Sequence, residues 1–220
     1  RISQEILIPP KKHKNAKDGD FVVVDIIKFA QNHVKSTGVV SEVLGDVAKP
    51  GMEIEVAIRA HEIPCVWPKS INAELKKIAR QASPSEQAGQ RIDLRNLPFV
   101  TIDGEDAKDY DDAVYCQCHH GKGWTLYVAI ADVSHYISVD TALDQEAQQR
   151  GNSVYFPGHV IPMLPEDLSN GLCSLKPRED RLVMVCKMDI NRDGDITSYK
   201  FCEGVIHSHA RLTYTEVAAM

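Results

Sequence analysis

Short runs of alternating apolar and polar residues, broken by Gly, Pro, Asn and Asp, dominate the chain. Residues 21–29, 37–44 and 52–61 read as three strands, punctuated by Asp18-Gly19, Gly45-Asp46 and Pro50-Gly51. Closely spaced short strands of this kind predict a small barrel. A further short element at 5–8 has no earlier strand to pair with. The period then lengthens: Ile71, Leu75 and Ile78 fall on one side of a helix that Ser70 would cap and Ser83-Pro84-Ser85 would end. We expect this helix to lie in a linker packed between two domains. Strands return after Leu97. One is expected to end at Asp103, and residues 114–118 and 124–130 form a hairpin around Gly121-Lys122-Gly123 that runs into Asp132-Val133-Ser134-His135. Residues 141–150 read as a helix stopped by Gly151. In 151–176, Pro157, Pro162 and Pro165 argue against regular structure, yet Val154, Tyr155, Phe156 and Ile161 are too apolar for an exposed loop. Such a segment usually lines something. A long hairpin, 181–190 with 196–207, turns at Asn191 to Asp195, and a helix starts at Tyr214.

Composition adds bounds. At 220 residues, one or two domains are expected, and 43% apolar with 25% charged residues is ordinary for a globular protein. No apolar run reaches bilayer-spanning length and no signal-peptide pattern opens the chain, so it is read as cytoplasmic, with no membrane partner. The six cysteines are scattered without a framework spacing, which suits reduced thiols. Cys116-x-Cys118-His119-His120 could be half of a zinc site. A buried apolar strand face shared by Val114, Cys116 and Cys118 is the preferred reading.

Candidate chemistry concentrates between Asp103 and Asp112, where six carboxylates face a single Lys108. Like charges this close raise one another's pKa and cost stability unless neutralised. Oxygen-rich donors without clustered Cys or His suit Mg²⁺, Mn²⁺ or Ca²⁺ rather than zinc. Asp103 should end a strand, Gly104 should permit a sharp turn, and Asp109, Asp111 and Asp112 follow. In a regular strand Asp111 and Asp112 would point to opposite faces, so irregular backbone is expected there. Four carboxylates suit two metals, the arrangement that clamps attacking and leaving oxygens in phosphodiester cleavage. A solvated acidic loop and a structural calcium site remain alternatives, though the EF-hand spacing is not met. The formal charge of −6 argues against nucleic acid until it is noticed that nearly all the excess lies in this knot, where bound cations would invert the field. Lys11, Lys12, His13, Lys14 and Lys17 form a basic cluster, readable as a phosphate-tracking loop or as a solvated turn. Phe21 and Phe29 could belong to a stacking platform or to the core. Asp132 could orient a metal ligand or a basic residue, with a strand-end cap the preferred reading; His135 is a weaker candidate base.

The run DLRNLPFVTIDGEDAKDYDDAVY, with IADVSHYI from Ile130, SVYFPGHVIPMLPEDLSNGLCSL from Ser153 and the domain ahead of them, resembles the ribonuclease II/ribonuclease R (RNB) family of processive 3′→5′ exoribonucleases, on its bacterial ribonuclease R side. The resemblance covers essentially the whole chain, and the aspartate block is specific. It implies an α+β chain in three parts: a truncated OB-fold cold-shock-like RNA-binding domain over 1–63, a helical linker over 64–92, and the N-terminal part of a mixed α/β catalytic domain over 93–220. It implies that Asp103, Asp109, Asp111 and Asp112 hold catalytic Mg²⁺, for which Mn²⁺ can substitute. It also implies that Tyr155 stacks on bases near the 3′ end, inside an RNA channel to which 151–176 contributes. The expected activity is hydrolysis of single-stranded RNA from its 3′ end to nucleoside 5′-monophosphates, with no obligate protein partner. The chain starts on Arg1, and the family's transition-state arginine, second stacking aromatic and S1 domain would lie beyond Met220. A fragment without activity of its own is therefore expected. A catalytically silent RNA-binding module is the alternative.

Overall fold

The computed structural model describes residues 5–31, 34–80, 89 and 91–220, and these form an α+β chain. Two compact units divide it, one made of Arg1–Trp67 with Phe156–Gly158 and the other of Pro68–Tyr155 with His159–Met220. No helix among the described residues is long and apolar enough to cross a membrane.

In the first unit, β1 (Ile6–Leu7), β2 (Asp20–Lys28) and β3 (Ser36–Asp46) form an open sheet in the order β1-β3-β2, and the helix α1 (Met52–Ala60) follows. β3 is central, antiparallel to β2 and parallel to β1, so the 5–8 element finds its partner later in the chain. A Cβ at Gly38 would collide with the Val24 side chain, so glycine is required where these strands approach. Residues 52–61, expected as a strand, are helical instead. Their alternating apolar residues also suit a helix whose Met52 and Ile58 are buried. Charge favours the helix, with Glu53 and Glu55 in the first turn and Arg59 in the last. Arg59 also forks onto Glu42 of β3, Nη2 to Oε1 at 2.7 Å and Nε to Oε2 at 2.9 Å. Without a strand there, the described sheet does not close into a barrel. Phe21 and Phe29 are exposed rather than core.

The second unit is built on a seven-stranded mixed sheet. Its elements in chain order are α2 (Ile71–Ile78), β4 (Ile92–Asp93), β5 (Val100–Asp103), β6 (Asp112–His119), β7 (Gly123–Ala131), α3 (Ala142–Arg150), β8 (Val154–Phe156), β9 (His159–Ile161), β10 (Asp180–Ile190), β11 (Ile196–His207), β12 (Ala210–Thr213) and α4 (Tyr214–Ala218). The sheet runs β12-β5-β6-β7-β10-β11-β4, with β12 parallel to β5, β4 parallel to β11, and the rest antiparallel. One face is core: Ala113, Ala129 and Val185 sit side by side across three strands, and Phe99, Tyr115 and Tyr127 cluster with ring centroids 5.7–6.2 Å apart. The opposite face is apolar and open, with Cys116, Leu126, Met188 and Tyr199 forming one row and Val114, Val128, Cys186 and Phe201 the next. Tyr199 and Phe201 are 68% and 65% exposed.

This face corrects the reading of Cys116 and Cys118, both of which are exposed. β6 buries its other side, led by Ala113. Helix α2, expected in a linker, is held within the second unit, where its Glu74 accepts a hydrogen bond from the Leu143 amide of α3 at 3.1 Å. Ser70 makes no capping hydrogen bond; Ser83-Pro84-Ser85 lies outside the described residues. Around the prolines of 151–176 the chain is more regular than expected, with a two-stranded ribbon β8-β9 and a π-helical turn at Asp167–Leu172. The helix at 142–150 matches its prediction, capped by the Thr141 hydroxyl and stopped at Gly151.

Candidate active site

The four aspartates sit where three strands of the second unit meet. Asp103 closes β5 and lies in register with Thr213 of β12. Asp112 opens β6 opposite Ile130 of β7. Between them residues 104–111 belong to no strand, and the Asp111 carbonyl accepts from the Ala131 amide at 2.9 Å, in register with the Asp112–Ile130 pair, so the irregular backbone expected at Asp111–Asp112 is not seen in this pairing. Gly104 has ordinary backbone geometry and open space where a Cβ would point, so the turn does not depend on glycine.

A single serine fixes the loop from beneath. The fully buried Ser174 hydroxyl donates to the Lys108 carbonyl at 2.8 Å and accepts from the Tyr110 amide at 3.2 Å. Next to it, the Leu175 amide donates to the Tyr110 carbonyl at 2.8 Å. Arg181 holds that segment in turn, Nε to the Ser174 carbonyl at 2.7 Å. Neither Ser174 nor Arg181 carries a signal in the sequence, because Ser174 acts on backbone groups 64 and 66 residues away and Arg181 acts on the loop only through the Ser174 segment.

The electrostatics show that the four carboxylates feel one another. Burial pushes the Asp111 carboxyl above its ordinary range, and the charges of Asp109, Asp112 and Asp103 add to the shift. Asp103 is raised in the same way, by burial first and then by Asp112, with Arg211 opposing and Asp109 adding. One oxygen of Asp103, Oδ2, is buried without a hydrogen-bond partner. An all-carboxylate donor set with an orphaned oxygen fits a hard divalent cation. As they stand, no three His, Cys, Asp or Glu side chains among the described residues close into a metal-holding group.

Around this centre, the Tyr155 hydroxyl stands 3.4 Å from Asp109 Oδ2 while its ring is 67% exposed. Cys173 is buried nearby, its thiol pushed up to about 12 by burial and then by the Asp111 charge. Asp132 is not simply a strand-end cap. It is buried and paired with Arg91 at 2.5 Å, and its other oxygen accepts from the Ser134 hydroxyl at 2.7 Å. Lys11, Lys12 and Lys14 lie exposed on a turn of the first unit, with the Lys14 ammonium bonded to the Ser41 carbonyl at 2.6 Å. Arg211, near the end of the chain, was not singled out from sequence.

Residues 91–220, more than half of the chain, match the RNB domain family model. The chain belongs to the RNB family. Ahead of its RNB segment, residues 1–68 match a cold shock domain model. Ribonuclease R of Escherichia coli strain K12 is 53% identical over 217 residues, covering 99% of this chain and 27% of the relative. Ribonuclease R of Vibrio parahaemolyticus is 53% identical over 220 residues, covering 100% of this chain and 26% of the relative. The RNB chain described here thus spans about a quarter of the length of these relatives. Mycoplasma genitalium RNase R, solved in complex with double-stranded RNA, superposes with a TM-score of 0.90 at 32% identity, over 98% of this chain and 38% of that one. Yeast Ssd1, a pseudonuclease, shares the fold at 18% identity with a TM-score of 0.74, over 97% of this chain and 28% of that one.

Proposed function

We propose that this chain carries the hydrolytic centre of an exoribonuclease that shortens single-stranded RNA from the 3′ end and releases nucleoside 5′-monophosphates. The observation that carries this reading is the set of four aspartates within electrostatic reach of each other, in an RNB domain whose relatives are ribonucleases. A relative solved with RNA supports RNA as the ligand. Asp103 and Asp112 would hold the tighter Mg²⁺ ion, with Mn²⁺ as a substitute, and Asp109 and Asp111 a second ion or the attacking water. When bound, such ions supply neutralisation of the phosphate oxygens and a more acidic water.

The chain's own residues do the rest. Ser174 and the Leu175 amide hold Asp109 to Asp111 at fixed spacing, so little reorganisation is needed when phosphate arrives. Tyr155 offers an exposed ring beside Asp109, and stacking on a terminal base would contribute on the order of 1–3 kcal/mol. Water adds to the last phosphorus, the bond to the 3′-oxygen breaks, and that oxygen takes the proton. Lys11, Lys12 and Lys14 are proposed to track phosphates upstream. The scattered cysteines support a cytoplasmic setting.

The test uses the full natural polypeptide that carries these residues, with 5′-labelled single-stranded RNA. Asp111→Asn should abolish progressive shortening while leaving RNA retention on filters intact. Unchanged shortening would remove the aspartates from catalysis. Binding without shortening by the unmutated protein would favour a silent RNA-binding module.

A further inference from the structure

The Arg211 guanidinium lies near enough to act on the Asp103 charge, and among the described residues it makes no ion pair with any of the four aspartates. Arg211 belongs to β12, the strand parallel to β5, two positions before the residue in register with Asp103. Its Nη2 donates to two successive carbonyls at the start of the acidic loop, Gly104 and Glu105, each at 2.6 Å. Its guanidinium lies 5.8 Å from the centroid of Tyr110, which sits between Asp109 and Asp111. The same corner adds a hydrogen bond from the Thr215 hydroxyl to the Glu105 carboxylate at 2.7 Å. Arg211 Nε is buried without a partner, as is Asp103 Oδ2. The guanidinium therefore touches the first two residues of the loop after Asp103 and the residue between its last acids, yet leaves every aspartate oxygen free.

A direct ion pair would stabilise Asp103 but compete with a metal for its oxygens. Bonding to carbonyls avoids that competition. It brings positive charge close while fixing the span between Asp103 and Asp109. Metal ligands depend on such outer partners for orientation.

We propose that Arg211 is a positioning residue of the carboxylate site, clamping the Gly104 and Glu105 carbonyls and the Tyr110 ring together so that the aspartates keep the spacing a divalent cation needs. This rests on the metal-site reading above.

Mn²⁺ binding to the chain, followed by electron paramagnetic resonance, tests both. The variants are Asp111→Asn, Arg211→Met and Arg211→Lys, each checked by thermal melting. We expect wild type to bind and Asp111→Asn to lose binding. Arg211→Met should weaken affinity by about 10–100-fold, and Arg211→Lys should recover only part of it, because an ammonium restores the charge but not the planar fork. If Arg211→Met melts early, the folded Arg211→Lys variant carries the test, with weakened binding expected. If wild type binds and either folded Arg211 variant matches it, the positioning role is overturned while the metal site stands. If wild type fails to bind, the metal-site reading falls and this inference with it.

Discussion

Asp111 combines an exposed flank with a carboxyl crowded by protein and by three other acids. Its charge is unfavourable in the metal-free fold, so the isosteric Asp111→Asn should raise the metal-free melting temperature. For a partly exposed group the gain should be about 1–2 °C. Saturating Mn²⁺ should reverse the order, stabilising wild type by mass action and leaving the variant unmoved. Differential scanning fluorimetry with and without Mn²⁺ reads both arms. Cysteine offers a second measurement at this scale. Cys173, with its thiol near 12, stays protonated and buried, whereas Cys65, Cys116 and Cys118 are exposed. At pH 8, iodoacetamide should label those three in the native chain and reach Cys173 only after unfolding, as mass spectrometry of the peptides will show.

The strands around the site are tied by buried charge. Arg91, just ahead of β4, pairs with Asp132 at the end of β7, and the two side chains are only 8% and 4% exposed. Burial alone would raise the Asp132 carboxyl; hydrogen bonds from Ser134 and Arg91 outweigh it and hold the carboxyl below its ordinary value of 3.8. A depressed carboxylate stabilises the fold above its unfolded pKa and loses that contribution as pH falls through the folded one. Arg91→Met should thus cost roughly 3–5 kcal/mol at neutral pH by stranding a buried charge. In urea titrations the gap to wild type should narrow below pH 3.8. The sequence made the two long hairpins and the Thr141-capped helix legible, because turn residues and period act over a few positions. It misled at 52–60, where one apolar spacing serves strand and helix alike and the end charges of Glu53, Glu55 and Arg59, with the Arg59–Glu42 pair, separate them. It pointed to Asp103, Asp109, Asp111 and Asp112 by density of charge, but was silent on Ser174, Arg181 and Arg211, whose partners lie 66, 7 and 107 residues away.

Across the whole chain, the sheet of the second unit is solvated on an apolar face that alternation in β6 alone could not forecast. Open apolar rows of this kind bind other apolar surfaces. Replacing Tyr199 and Phe201 by serine should lower the fluorescence of a bound hydrophobic dye and reduce light scattering at high protein concentration. Because both rings are more than half exposed, melting should shift by less than about 2 °C. Asp103 itself lies on a strand whose two neighbours come from very different distances. β6 follows within ten residues, but β12 and the Thr215 contact to Glu105 come 110 residues later. At roughly 5–20 residues per second on the ribosome, the outer edge of β5 waits roughly 5–20 s for its partner. A nascent chain therefore carries its acidic knot framed on one side only until the 110 residues between β5 and its second neighbour have been made.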